Sequence, residues 1–191
     1  MAASHRHFIP AAGADWLLPF YDPFTRLLGA RSAQRQLIAQ ARLAPGQRVL
    51  DLGCGTGALS LVAKRAEPGI ELVALDPDPK ALVRARRKAA RAGAALAFES
   101  GFGDALPFSD ASFDRAISSF VLHHLESAAK PAVLRELRRV LRAGGSLHVL
   151  DFAGANRELL QQLREAGLRD AAQVDARRSL LGALAFWRAQ V

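Results

Sequence analysis

Val49-Leu50-Asp51-Leu52-Gly53-Cys54-Gly55-Thr56-Gly57 is the stretch whose reading decides this chain. An apolar run ends in an acid, and glycines follow at every second position. Ala58-Leu59-Ser60-Leu61-Val62-Ala63-Lys64-Arg65 comes next and is compatible with a helix. The pattern predicts a buried strand, a tight turn and a helix start. Glycine reaches backbone conformations closed to other residues and lets a ligand lie against bare backbone. The unpaired N–H groups of the helix's first turn then face that ligand. An ordinary strand-to-helix turn needs neither alternating glycines nor an acid just before them. Cys54 reads as a small side chain filling the turn rather than as a reactive thiol.

Gly53, Gly55 and Ala58 also satisfy G-x-G-x-x-G/A, the dinucleotide pattern. Glu71-Leu72-Val73-Ala74-Leu75-Asp76 is a second apolar run ending in an acid, at the distance expected of a ribose-binding carboxylate. Glycines plus one acid fit NAD and S-adenosylmethionine alike, because both carry an adenosine. They differ at the other end, where one presents a pyrophosphate and the other an amino acid and a sulfonium cation. Asp51 falls where that cationic end would lie, and a carboxylate there attracts a cation and repels a pyrophosphate. The balance favours S-adenosylmethionine.

The nonapeptide from Val49 resembles the first motif of class I S-adenosylmethionine-dependent methyltransferases, closest to the branch of the ubiquinone and menaquinone biosynthesis enzymes. Gly101-Phe102-Gly103-Asp104-Ala105-Leu106-Pro107-Phe108-Ser109-Asp110-Ala111-Ser112-Phe113-Asp114 resembles that family's G-D-A-x-x-L-P-F-x-D-x-S-F-D signature, with the spacing after Asp104 shorter by one. Val121-Leu122-His123-His124-Leu125 is similar to its turn with paired histidines. Leu141-Arg142-Ala143-Gly144-Gly145-Ser146-Leu147 is similar to L-x-P-G-G-x-L, with Ala143 in place of proline. The likeness covers roughly residues 40–191. It implies a Rossmann-like α/β fold: a seven-stranded, mostly parallel sheet in the order 3-2-1-4-5-7-6, with strand 7 antiparallel and helices on both faces. It also implies S-adenosylmethionine as cofactor and S-adenosylhomocysteine as product. The residues it assigns to the cofactor are Asp51, Gly53, Cys54, Gly55 and Gly57 of the first motif, with Asp76 and Pro77 at the second strand's end. Phe102, Gly103, Asp104 and Ala105 would meet the adenine, and the Ser119-Phe120 backbone the methionine amine. An N-terminal segment that lies over the cofactor in this family makes Trp16, Phe20, Tyr21 and Phe24 lid candidates, with the Tyr21 hydroxyl reaching the methionine carboxylate.

The 191 residues, 50% of them hydrophobic, suffice for a single domain with a substantial core. Residues 1–45 read as a helical lid or cap, and 46–191 as the cofactor-binding core. No apolar stretch has the length of a bilayer span and no long apolar signal core opens the chain. With one cysteine, a reducing, cytoplasmic setting is expected. His5 and His7 read as solvated, and no metal is expected. The net charge of +8 could suit nucleic acid. Lys80, Arg84, Arg86, Arg87, Lys88 and Arg91 nevertheless fall on one amphipathic helix, and Arg135, Arg138, Arg139 and Arg142 on another. No aromatic residues interleave with them, so both read as solvated faces and nucleic acid is disfavoured. Oligomeric state is open.

Along the chain, helices are expected over Ser32–Leu43, after Gly57, after the Asp78 N-cap and over Pro131–Arg142, where Ala143-Gly144-Gly145 supplies the stop. A further helix is expected over Asn156–Glu165, and closing strands over Arg169–Ala176 and Leu184–Gln190. Methyl transfer rests mainly on positioning, which supplies roughly 7–11 kcal/mol. A general base adds a factor of about 100–10,000. His123, Asp151 and Tyr21 are the base candidates, with His123 facing the acceptor, His124 buried, and Asp151 either on the pocket rim or capping a helix. The N/D-P-P-Y/F motif of nucleobase methyltransferases is replaced by Ser118-Ser119-Phe120-Val121. A single cysteine likewise disfavours arsenic methylation. The aromatic lid points to a small, partly apolar organic acceptor. A non-catalytic cofactor- or partner-binding module and an NAD-dependent oxidoreductase are the alternatives.

Overall fold

The structure, a computed structural model, describes residues 29–180 and 182–191. Helix α1 (Ala30–Ala41) precedes β1 (Arg48–Leu52), α2 (Ala58–Ala66), β2 (Glu71–Asp76), α3 (Pro79–Arg91) and β3 (Ala97–Ser100). Then come β4 (Phe113–Ser119), a 3-10 turn (Leu122–His124), α4 (Lys130–Val140) and β5 (Leu141–Phe152). A second 3-10 turn (Gly154–Asn156), α5 (Leu159–Glu165), β6 (Arg169–Ser179) and β7 (Gly182–Gln190) follow. The strands form one seven-stranded sheet in the order β3-β2-β1-β4-β5-β7-β6. Neighbours from β3 to β5 run parallel, while β7 lies antiparallel to both β5 and β6. This is the Rossmann-like order expected from the sequence.

Parallel strands covered by helices on both faces must be apolar on both. Val49, Leu50, Ala74, Leu75, Ala116 and Ile117 are accordingly all buried. One apolar layer joins Leu50, Leu75 and Phe113 to Leu134 and Leu137 of α4. The other joins Val49, Ile117, Leu150 and Phe186 to Leu59 of α2 and to Ala33, Leu37, Ile38 and Ala41 of α1. Those α1 positions recur at helical spacing, so α1 is a wall of the core. The lid candidates Trp16, Phe20, Tyr21 and Phe24 lie outside the described residues.

Several boundaries differ from expectation. Helix α4 stops at Val140, and Leu141 is already extended (φ −77, ψ 134). The Gly144-Gly145 pair is no helix stop, because it bonds the chain's last residue: Gly144 N–H donates to the Val191 carbonyl (3.1 Å) and Val191 N–H to that of Gly145 (3.0 Å). Helix α5 opens at Leu159 because the Asn156 side chain is engaged, donating to the Phe152 carbonyl (3.1 Å) and accepting from Lys130 Nζ (3.1 Å). Strands β6 and β7 run on until Ser179 pairs with Gly182, which makes their connection a tight hairpin.

Candidate active site

The strand order reverses between β1 and β4. Ligands of open parallel sheets bind beyond the strands' carboxyl ends at such a point. The glycine turn sits there, tied to β2 because the Gly53 and Cys54 N–H groups both donate to the Leu75 carbonyl (2.8 and 3.0 Å). Gly53 has φ +69, and a Cβ on it would come within 2.5 Å of Val121 Cγ2. Packing of the β4 exit therefore demands glycine here. Gly55, at φ +51, has no atom of the described residues within 4 Å of a Cβ position, so its Cα is open on that side.

Two acids flank the turn. Asp76, at the end of β2, accepts from Gly55 N–H (2.7 Å) through Oδ2 and from Asp78 N–H (2.9 Å) through Oδ1. Burial raises its pKa, and the two backbone bonds oppose that rise. A carboxylate has about four acceptor sites, so two remain for hydroxyl groups. The helix cap is a separate residue, since Asp78 Oδ1 accepts from Lys80 N–H (2.8 Å). Asp51 is fully buried; its Oδ2 accepts from Ser60 Oγ, while Oδ1 has no partner among the described residues. Burial pushes its pKa up to about 7, the Ser60 hydrogen bond opposes this, and the nearby charge of Asp76 adds to it. Asp51 thus lies behind the turn with one oxygen unpartnered among the described residues. Cys54 is buried and its thiol is pushed up by burial and by both acids, which suits a filler and not a nucleophile.

Beyond β3, Phe102, Gly103 and Asp104 are partly buried and Ala105 is exposed. Gly103 is packed close: a Cβ there would lie 3.2 Å from Val133 and 3.3 Å from Leu52. The rest of this sequence block is scaffold. Leu106 N–H donates to Glu136 Oε2 (2.8 Å), and Arg139 donates to the carbonyls of Phe108 (2.7 Å) and Leu106 (3.1 Å) and pairs with Asp110 (2.7 Å) and Glu136 (2.7 Å). Asp114 accepts from Arg48 N–H (2.7 Å) and pairs with Arg142 (2.9 Å). The basic faces expected to be solvated are thus partly fasteners. Lys88 on α3 is another, donating to Thr56 Oγ1 (2.8 Å), and its burial lowers its pKa to about 8.

At the exit of β4, Phe120 adopts φ +59, a region that costs a non-glycine residue energy and that clusters at functional sites. Its ring lies 5.5 Å from that of Phe152. Ser119 Oγ accepts from Gln34 Nε2 of α1 (3.2 Å). The 3-10 turn then sets His123 over Asp151. Asp151 Oδ2 accepts from His123 N–H (3.2 Å), and its Oδ1 meets His123 Nδ1 at 2.7 Å. Asp151 is completely buried, so it is not on the pocket rim; it holds the turn and fixes the ring. A carboxylate accepts, so His123 Nδ1 is the donor of this contact. The His123 side chain keeps 20% exposure, with the Phe152 ring edge-on at 4.9 Å. His124 is half-buried too, and burial first, then the neighbouring His123, lowers its pKa. Tyr21 lies outside the described residues.

The structure brings Asp51, Gly55, Asp76, Ser119, Phe120 and the His123–Asp151 pair to one edge. It adds Ser60 and Gln34, which the sequence reading missed. Ser60 looked like one more helical residue, and Gln34 lies far from Ser119 in the chain.

The methyltransferase-domain family matches residues 49–145, and the chain belongs to that family. The demethylmenaquinone methyltransferase of Thermus thermophilus is 41% identical over 71% of this chain and 62% of its own. The 2-phytyl-1,4-naphtoquinone methyltransferase of Synechococcus elongatus is 33% identical over 81% of this chain and 68% of its own. The chain thus spans less than two thirds of the Thermus relative. Among solved structures, the [4+2]-cyclase SpnF superposes with a TM-score of 0.74 at 20% identity, covering 84% of this chain and 81% of that one. At that identity the likeness is one of fold, and a fold does not fix a reaction.

Proposed function

We propose that the chain is an S-adenosylmethionine-dependent methyltransferase acting on a small, partly apolar acceptor of the quinol or phenol type. The observation that carries this is the pairing of Asp51 and Asp76 around the open backbone of Gly55. The unpartnered, buried Oδ1 of Asp51 favours a cation nearby, and the two remaining acceptor sites of Asp76 suit ribose hydroxyls. A pyrophosphate would meet two acids, which disfavours NAD. The relatives named for quinone methylation support the acceptor class.

S-adenosylmethionine, when bound, supplies an electrophilic methyl group on a sulfonium and departs as S-adenosylhomocysteine. Gly53, Cys54, Gly55 and Gly57 would hold its amino-acid end through their backbone, aided by Ser119-Phe120 and the Tyr21 hydroxyl. Asp76 and Pro77 would hold the ribose, and Phe102, Gly103, Asp104 and Ala105 the adenine. His123 Nε2 takes the proton of the acceptor's hydroxyl. Asp151 keeps the opposite ring proton on Nδ1 and stabilises the imidazolium that forms. Phe120 and Phe152 give the acceptor an apolar wall. Tyr21 belongs to the segment that would close over the site, within a single domain of 1–191. The buried free thiol of Cys54 supports a cytoplasmic location, and the fastened arginines speak against a nucleic-acid partner. Among the described residues no helix is long and apolar enough to cross a membrane.

The test is calorimetry with S-adenosylhomocysteine, followed by labelled methyl transfer over a panel of reduced demethylnaphthoquinols and phenols. Binding with turnover is expected. No binding would remove the cofactor assignment; binding without turnover would leave a non-catalytic module.

A further inference from the structure

Away from this site, at the C-terminal end of α1, lies a cleft of about 380 Å³. That volume falls in the range of small-molecule pockets, about 300–1,000 Å³. Strand register assembles it. Arg115 on β4 pairs with Ser146 on β5, and His148 on β5 pairs with Arg188 on β7, so these side chains share the face under α1. With Arg42, just past α1, three arginines line the cleft, and among the described residues no carboxylate does. Arg115 is held in place, Nε donating to the Ala41 carbonyl (3.3 Å) and Nη1 to that of Asp114 (2.9 Å). The side chains of Arg42 and Arg188 make no hydrogen bond or ion pair among the described residues, and both residues are exposed. Nearby acids are committed elsewhere: Asp114 pairs with Arg142, and Asp175 accepts from Gln36.

The floor is neutral and polar. His148 is 2% exposed, accepts from Gln40 Nε2 (3.1 Å) through Nδ1, and contacts Ser146 Oγ (2.9 Å) through Nε2. Val174 adds an apolar wall. The end of α1 opposes an anion with about half a charge, which three guanidinium groups outweigh. Burial, then the charges of Arg115 and Arg188, hold the His148 pKa down to about 3, so the ring adds no charge of its own to the cleft.

We propose that this cleft binds a small multivalent oxyanion of the phosphate-ester or pyrophosphate kind, with Arg42, Arg115 and Arg188 as its charged contacts. The 191-residue chain is titrated with pyrophosphate at fixed ionic strength by calorimetry, while the His148 ring nitrogens are followed by NMR. Saturable binding that moves His148 and leaves His123 and His124 in place is expected. Arg42→Gln and Arg188→Gln should each weaken it about tenfold, and together abolish it. Non-saturable binding, retention in the double variant, or tighter binding of citrate would overturn the proposal. S-adenosylhomocysteine affinity in the same variants should be unchanged, so failure here is separable from failure of the methyltransferase reading.

Discussion

Helix α1 touches two places of opposite electrostatic character. Toward its start, Gln34 bonds Ser119 at the edge that carries Asp51 and Asp76. Toward its end, Gln40 bonds His148 in the cleft that carries Arg42, Arg115 and Arg188. Each place buries one ionisable group whose surroundings disfavour its charged form. Asp51 is pushed up to about 7, by burial and by Asp76, with Ser60 opposing. His148 is pushed down to about 3, by burial and by Arg115 and Arg188. The comparison teaches that one sheet face buries both an acid and a base, each beside charges of the sign it would itself carry.

The largest expected effect belongs to the acidic edge. His123→Ala should lower the methyl-transfer rate by a factor of about 100–10,000, the range of a general base. S-adenosylhomocysteine affinity should stay as it was. Single-turnover kinetics on the variant provide the check, and an unchanged rate would reduce His123 to a lid over Asp151.

The two buried groups should next separate by pH. Unfolded, Asp51 loses its proton near pH 4; folded, near 7. Between those values the folded protein holds a proton that the unfolded chain lacks. Stability therefore declines as pH rises across that window, by on the order of 4 kcal/mol. For His148 the folded protein lacks a proton that the unfolded chain binds, between about pH 6.5 and 3. Stability there declines as pH falls. The two windows overlap between about pH 4 and 6.5, where the opposed slopes offset each other in the wild type. In urea unfolding from pH 4 to 8, Asp51→Asn should therefore uncover the rise with pH that His148 causes, and His148→Gln the decline that Asp51 causes. Cofactor affinity in the wild type should rise from pH 6 to 8, because a cation nearby favours the ionised Asp51. If both variants track the wild type, the mirror-image picture is wrong.

How far all this was legible in the sequence depended on range. The glycine turn, Asp76 and the Asp78 cap are local signals, and the structure places them where the local pattern put them. The strand order came through resemblance, not through periodicity. Asp104 and Ala105 stood out inside a long block, yet Leu106, Asp110 and Asp114 of that block turn out to hold the loop to α4 and β1. No local pattern marks such contacts, because Arg139 finds its partners only when α4 folds back onto the loop. The arginine cleft was invisible for the same reason: its charges come from β4, β7 and the end of α1. Lys88 was misread because its helical spacing matches the exposed arginines around it, while its Thr56 partner sits on another element.

A smaller effect sharpens the acidic side alone. Asp76→Ala should weaken S-adenosylhomocysteine binding by about 1.5–3 kcal/mol, the cost of hydrogen bonds to a charged group. Part of that loss is indirect, because Gly55 N–H and Asp78 N–H would lose their acceptor. Asp76→Asn separates the parts. It keeps an acceptor for one N–H group but lacks the charge, so it should recover stability more fully than affinity. Equal recovery of both in calorimetry and urea unfolding would mean that Asp76 supports the turn and nothing more.

The smallest effects come from the two glutamines, and they test whether α1 serves its two ends differently. Gln40 gives one proton to His148 Nδ1 and another to the Trp187 carbonyl (3.0 Å). Its removal strands two acceptors, one on a side chain buried almost completely, and should cost stability about 1–3 kcal/mol. Gln34 gives one bond to a partly exposed hydroxyl that water can reach, so Gln34→Ala should cost only about 0.5–1.5 kcal/mol. Its consequence should lie in function instead, because Ser119 stands at the strand end where the cofactor's amino-acid end is proposed to sit. Urea midpoints and S-adenosylhomocysteine titrations on both variants should therefore diverge. Gln40→Ala should shift the midpoint and spare the ligand, whereas Gln34→Ala should barely move the midpoint and weaken the ligand. Should the two variants move both quantities in the same proportion, α1 would be a uniform wall, and the contrast between its ends would have no energetic content.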